Sequence, residues 1–148
     1  MTPSSPLITQ TAEYALRAMS CLATTQDTFV RAEELSQGSQ VPKAYLSKIL
    51  RKMVVANLVE AKRGHHGGFR LALAADQITL QDVLAAVDAL PTNRCAFGVP
   101  QCDPDNPCPL HDAWMELKRG YLDWMTRHSL AEMETATWCL PDTQADPK

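Results

Sequence analysis

Three cysteines in one short stretch constrain this chain more than any other feature. Arg94 to His111 reads Arg-Cys-Ala-Phe-Gly-Val-Pro-Gln-Cys-Asp-Pro-Asp-Asn-Pro-Cys-Pro-Leu-His. Six residues separate Cys95 from Cys102 and five separate Cys102 from Cys108, and His111 follows Cys108 at the i+3 position. Proline fixes φ and removes a backbone donor, so Pro100, Pro104, Pro107 and Pro109 work against both helix and strand here. Order in such a loop must come from another source. Thiolates converging on a metal ion or an iron–sulfur cluster supply it, because coordination ties the loop to one geometry.

A length of 148 residues suits one compact domain with a helical extension, and an apolar fraction of 45% is enough for a core. No apolar run approaches the roughly 20 residues of a membrane-spanning helix. Met1 to Pro6 lacks the basic and apolar regions of a signal peptide, so a cytoplasmic protein with no membrane partner is expected. In a reducing compartment, the five cysteines point to metal or redox chemistry and away from a disulfide framework. Cys21, far from the loop, is expected to be a small buried hydrophobe. Cys139, beside the polar tail, is not expected to be a ligand.

Charge is unevenly distributed. The chain carries a net charge of −3, yet Lys43 to Arg70 holds seven basic residues against Glu60 alone. A concentrated basic patch on an acidic body is the pattern of a DNA-binding face; a solvated basic helix is the plainer alternative.

Apolar spacing places the elements. Thr9 or Thr11 caps a first helix running to about Thr24, with Tyr14, Ala18, Met19 and Leu22 on its inner stripe. Arg31 to Gln37 forms a short helix that Gly38-Ser39-Gln40 breaks. Val41-Pro42 opens a second, with Leu46, Ile49, Leu50 and Met53 inward and Lys43, Ser47, Lys48, Arg51 and Lys52 largely on the other face. A short helix, a tight turn and a basic amphipathic helix make a helix-turn-helix, whose second helix enters the major groove.

Leu58 to Ala61 and Phe69 to Leu73 alternate like strands around the loop Lys62-Arg63-Gly-His-His-Gly-Gly68, which makes a wing. Arg63 at its tip can reach a phosphate or the minor groove. Tyr45 and His65 complete the expected DNA-binding set. His65 and His66 fit solvated wing residues better than metal ligands. A helix from Leu80 to about Ala89 follows, ended by Pro91. After Pro109 a long helix runs to about Arg127. Leu110, Trp114, Leu117, Tyr121, Trp124 and His128 form a near-heptad seam that favours a partner helix and a homodimer. The expected fold class is mainly α with a small β-hairpin, a winged helix-turn-helix plus a long dimerisation helix. Its divisions are 1–90 for DNA binding, 91–109 for the cysteine loop, 110–140 for the dimerisation helix and C-terminal segment, and 141–148 for a disordered tail.

From about Leu7 to Met133 the chain resembles the Rrf2 family of bacterial transcription regulators. The resemblance rests on Tyr14-Ala-Leu-Arg17, Arg63-Gly-His-His-Gly-Gly-Phe-Arg-Leu71 and Cys95…Cys102…Cys108-Pro-Leu-His111. It implies a dimer on a palindromic operator, more often a repressor, with a [2Fe-2S] or [4Fe-4S] cluster on Cys95, Cys102 and Cys108. The fourth ligand differs between branches. His111, with Trp114 three residues on, matches the histidine of the iron–sulfur assembly branch. Glu13 of the partner subunit matches the carboxylate used by the nitric-oxide-sensing branch. The first cysteine gap is one residue longer than in either. Ser47 stands where the assembly branch has a carboxylate that discriminates operators.

The residues also admit other readings. Three Cys and one His can hold a structural Zn²⁺, although the spacing is looser than the paired spacings of common zinc modules. Two loop cysteines can form a cluster-free thiol switch. A Cys108–His111 enzyme pair lacks an orienting third group. An electron-transfer protein has no use for the basic helix and wing.

Overall fold

The computed structural model describes residues 7–25, 27–92, 95–97, 103 and 105–139. The elements run α1 Gln10–Thr24, α2 Ala32–Ser39, α3 Lys43–Val55, β1 Val59–Lys62, β2 Gly68–Leu71, α4 Leu80–Ala86 and α5 His111–Arg127. Single 3-10 turns lie at Ala75–Gln77, Leu130–Met133 and Thr137–Cys139. The mainly helical architecture with one hairpin is the expected one. The 1–6 lead and the 141–148 tail lie outside the described residues.

Thr9 caps α1, its Oγ1 accepting from the Ala12 N–H at 3.2 Å. Small side chains at Ala12, Ala15 and Ala18 let other elements approach closely, and α2, α3, α4 and the Leu130–Met133 turn all pack on this helix. Met19 and Leu22 fill the centre with no exposed surface, each worth about 1.5–3 kcal/mol of burial.

The helix-turn-helix forms with one local correction. Gly38 and Ser39 stay helical, because the Ser39 Oγ donates to the Leu35 carbonyl at 2.5 Å inside the core. The break falls at Gln40, which takes the left-handed conformation at φ 55°. Pro42 then stands at the N-cap of α3, where its missing N–H costs nothing. Leu46, Ile49, Leu50 and Met53 are buried, as their spacing requires.

β1 and β2 pair antiparallel with Val59 opposite Leu71 and Lys62 opposite Gly68. Val30 adds a third short rung, exchanging two 2.8 Å backbone hydrogen bonds with Phe69. That rung explains Gly68. Its φ is 141°, and a Cβ there would collide with the Val30 carbonyl.

α3 and α4 end by the same device. Leu58 N–H reaches the Met53 carbonyl across Asn57, and Ala89 N–H reaches the Leu84 carbonyl across Asp88. Asn57 and Asp88 are left-handed, at φ 62° and 55°. This is the Schellman pattern with Asn and Asp in the usual glycine place. Asp88 therefore stops α4 three residues before Ala89, and Pro91 has no part in it.

The far end of α5 is stitched to the start of α4. Leu80 N–H donates to the His128 carbonyl at 3.0 Å, and Leu130 N–H donates to the Ile78 carbonyl at 2.9 Å. Met125 and Leu130 are fully buried there. Beyond them the chain turns back, and Cys139 meets Cys21 in a disulfide with Cα atoms 4.9 Å apart. Cys21 is buried as expected, but it is bonded rather than a simple hydrophobe. No disulfide framework is expected from the sequence, yet this one pair forms, and its 118-residue separation hides it there.

Candidate functional site

Two constellations carry the chemistry, one on α3 and the wing, the other around the cysteine loop and α5. On α3 the expected DNA-facing residues Lys43, Tyr45, Ser47, Lys48, Arg51 and Lys52 are all exposed. Helical periodicity puts them there by burying the residues between them. Their electrostatic surroundings differ. Lys43 Nζ pairs with Glu33 Oε1 at 3.0 Å, and Lys52 Nζ with Asp88 Oδ2 at 3.4 Å. The Lys43 hydrogen bond and charge hold the Glu33 carboxyl below its usual range. Among the described residues, Lys48, Arg51, Lys62 and Arg63 enter no ion pair.

Tyr45 rests edge-on against Tyr14 of α1, ring centroids 5.5 Å apart, and the Arg17 guanidinium lies 5.8 Å from the Tyr14 ring. The Ser47 Oγ turns back to the Lys43 carbonyl at 3.1 Å. On the wing, Arg63 and His65 are exposed. The loop is anchored at its backbone, where Arg31 Nη2 donates to the His65 carbonyl at 2.8 Å. Arg70 is spent structurally. It pairs with Glu60 at 2.8 Å and lies 4.4 Å over the Phe29 ring.

The spacing of basic residues did not reveal Glu33, Asp88, Tyr14 or Arg31. The available signals were the acidic first turn of α2, ten residues before Lys43, and the Tyr14-Ala-Leu-Arg17 motif.

The second constellation lies at the start of α5. Cys108 is exposed, and its carbonyl accepts from the His111 N–H at 3.0 Å, forming the turn into the helix. Cys95 is half-buried beside the first turns of α5, in a groove it lines with Trp114 and Leu117. Lys118 Nζ donates to the Thr92 carbonyl at 2.7 Å and fastens the segment before the loop to the same helix. Cys102 lies outside the described residues. Among those described, no three His, Cys, Asp or Glu side chains gather as a metal site. The donor set fits a cluster or zinc by chemistry, since three thiolates and an imidazole suit both. Glu13 sits half-buried in α1, whose start borders the same groove.

That groove, about 1110 Å³, runs between the start of α1, the segment after α4 and the seam face of α5. Leu110, Leu117 and Trp124 remain 53%, 56% and 40% exposed in the single chain. Trp124 stacks on Tyr121 at 5.8 Å and lies 6.3 Å from His128. No described helix is long and apolar enough to cross a membrane.

A helix-turn-helix with an exposed basic second helix and a glycine-turned wing defines a winged-helix DNA-binding regulator. The family model described as "Rrf2: Iron-dependent Transcriptional regulator" matches residues 8–135, and the chain belongs to that family. It is a DNA-binding transcriptional regulator and not an enzyme. It is 30% identical over 130 residues to the HTH-type transcriptional regulator IscR of Vibrio parahaemolyticus, covering 86% of this chain and 77% of the relative. Among solved structures, CymR, the global cysteine regulator of B. subtilis, superposes with a TM-score of 0.73 at 19% identity. That match covers 93% of this chain and 99% of CymR. T. potens IscR superposes at 0.70 with 19% identity, over 85% and 84% of the two chains. At that identity the two structures establish the fold alone.

Proposed function

We propose that this regulator is a homodimer that binds a palindromic operator, mainly as a repressor. In this reading its loop of Cys95, Cys102 and Cys108 holds a [2Fe-2S] or [4Fe-4S] cluster, with His111 or the partner subunit's Glu13 as fourth ligand. One observation carries the reading. Cys95 and the Cys108–His111 turn border the same end of α5, and the other end of that helix is hydrogen-bonded to the start of α4. A change at the loop thus has a stiff route toward the DNA-binding body.

Bound there, a cluster supplies one-electron chemistry and sensitivity to nitric oxide, oxygen and iron supply. The remaining work belongs to the chain. The peptide dipole at the start of α5 favours an anionic ligand beside it. The exposed seam Leu110, Leu117 and Trp124 offers a second copy an apolar face. On DNA, Lys43, Tyr45 and Ser47 stand at the N-terminal end of α3, nearest the bases. Lys48, Arg51 and Lys52 lie along the backbone, and Arg63 and His65 reach from the wing.

The test is Cys102→Ala in the full-length protein. The DNA is a fragment obtained by selection with the wild-type protein. The variant is expected to bind no cluster, and its DNA affinity should no longer respond to nitric oxide or oxygen. A response equal to the wild type contradicts the mechanism.

A further inference from the structure

The cysteine loop is not the only sulfur chemistry in the fold. Cys21 lies in the last half of α1, between the buried Ser20 and Leu22. Cys139 ends a three-residue 3-10 turn that packs against both α1 and α2. Both cysteines are 3% exposed and bonded to each other. Cys139 also touches the DNA-binding motif directly. A Cβ placed on Gly38 would lie 3.1 Å from the Cys139 carbonyl. Gly38 occupies the last turn of α2, two residues before Gln40 turns the chain toward α3. The Thr137–Cys139 turn is therefore a strap lying on the first helix of the helix-turn-helix.

We propose that Cys21 and Cys139 form a second redox site, a reversible clasp that exchanges with low-molecular-weight disulfides and dithiols and sets whether the strap is held on α2. The closing step balances without metal. Cys139 thiolate attacks a small disulfide, forming a mixed disulfide and expelling one small thiolate, which takes up the proton that Cys139 lost. Cys21 thiolate then attacks the Cys139 sulfur, expels the second small thiolate, and its own proton goes there. The protein dithiol loses two electrons and the small disulfide gains them.

Position decides which thiol exchanges first. Cys21 is locked in the centre of the core, whereas Cys139 becomes accessible when the short Thr137–Cys139 turn lifts, a local opening that leaves the rest folded. The clasp differs from the loop cysteines in location and in what it holds. Closed, it keeps the Cys139 carbonyl against Gly38 and stiffens the end of α2. Open, it leaves that end of α2 and the Gln40 turn more mobile.

The test equilibrates the purified full-length protein anaerobically with mixtures of reduced and oxidised dithiothreitol. Trapped thiols are then read by mass spectrometry, and backbone hydrogen exchange is followed over residues 35–42. Cys21 and Cys139 are expected to convert together in one two-electron step, giving a linked peptide. Exchange over 35–42 should rise by roughly tenfold on reduction. Cys139→Ser should show the fast exchange at every mixture. Gly38→Ala, a mild change in a helix, should shift the balance toward the dithiol by crowding the strap. Independent alkylation of the two cysteines with no linked peptide overturns the clasp. A linked peptide with unchanged exchange over 35–42 reduces it to a static staple and overturns the switch.

Discussion

Lys52 on the last turn of α3 holds Asp88, the left-handed residue that ends α4, at 3.4 Å. The pair joins the DNA-binding helix to the segment that leads into the cysteine loop. Both side chains are well exposed, so the pair contributes no more than about 0.5 kcal/mol. Its importance is electrostatic, because it occupies Lys52, a cation proposed to face the operator. Asp88→Asn keeps a residue that tolerates the left-handed conformation and removes the charge. Unfolding stability should change by less than ~1 kcal/mol. The logarithmic salt dependence of DNA binding should steepen by up to ~0.9 as Lys52 becomes free to meet a phosphate. An unchanged slope means Lys52 does not reach DNA.

Lys48 and Arg51 are exposed and in no ion pair among the described residues, so their loss should act on DNA alone. Alanine at either site should weaken binding and lower the salt slope by about 0.9 for each phosphate contact removed. Circular dichroism and thermal unfolding should match the wild type. A variant that binds with the wild-type slope places that residue off the interface.

Much of this surface was legible because a helical period of 3.6 separates Leu46, Ile49, Leu50 and Met53 from the basic positions without any tertiary information. Helix ends were less legible. Asn57 and Asp88 stop α3 and α4 in a conformation usually given to glycine, and nothing in composition marks those two residues over their neighbours. Pairings made by folding were invisible. Glu33 meets Lys43 across a turn, and Cys139 meets Cys21 across nearly the whole chain. The cysteine loop stood out by its spacing, and its middle thiol, Cys102, lies outside the described residues.

The seam of α5 predicts assembly. Leu117 and Trp124 leave apolar surface on one face, beside the large groove. Leu117→Glu puts a charge in the centre of that face and should yield a folded monomer in sedimentation velocity, where the wild type is expected to sediment as a dimer. A variant that still sediments as a dimer moves the interface elsewhere.

Glu132 predicts a small acid dependence. The hydrogen bond to His128 lowers its carboxyl pKa, burial opposes this, and the Ser129 N–H adds to the lowering. A carboxyl depressed on folding contributes stability above its ordinary value of 4.5, lost as pH falls through the lower folded value. Glu132→Gln should therefore be less stable than the wild type in urea at about pH 7, with the difference shrinking as pH falls below the ordinary value of 4.5. A gap that persists at the lower pH assigns the effect to something other than this titration.

The most direct measurement is the visible absorption of anaerobically purified protein, taken with its iron, sulfide and zinc content. A cluster sensor is expected to be coloured, with equal iron and sulfide, at about two or four irons per chain according to cluster type. A colourless protein holding one zinc per chain, or one that stays metal-free after reconstitution with iron and sulfide, contradicts the cluster sensor. The first result makes the loop structural, and the second leaves its thiols to act without metal.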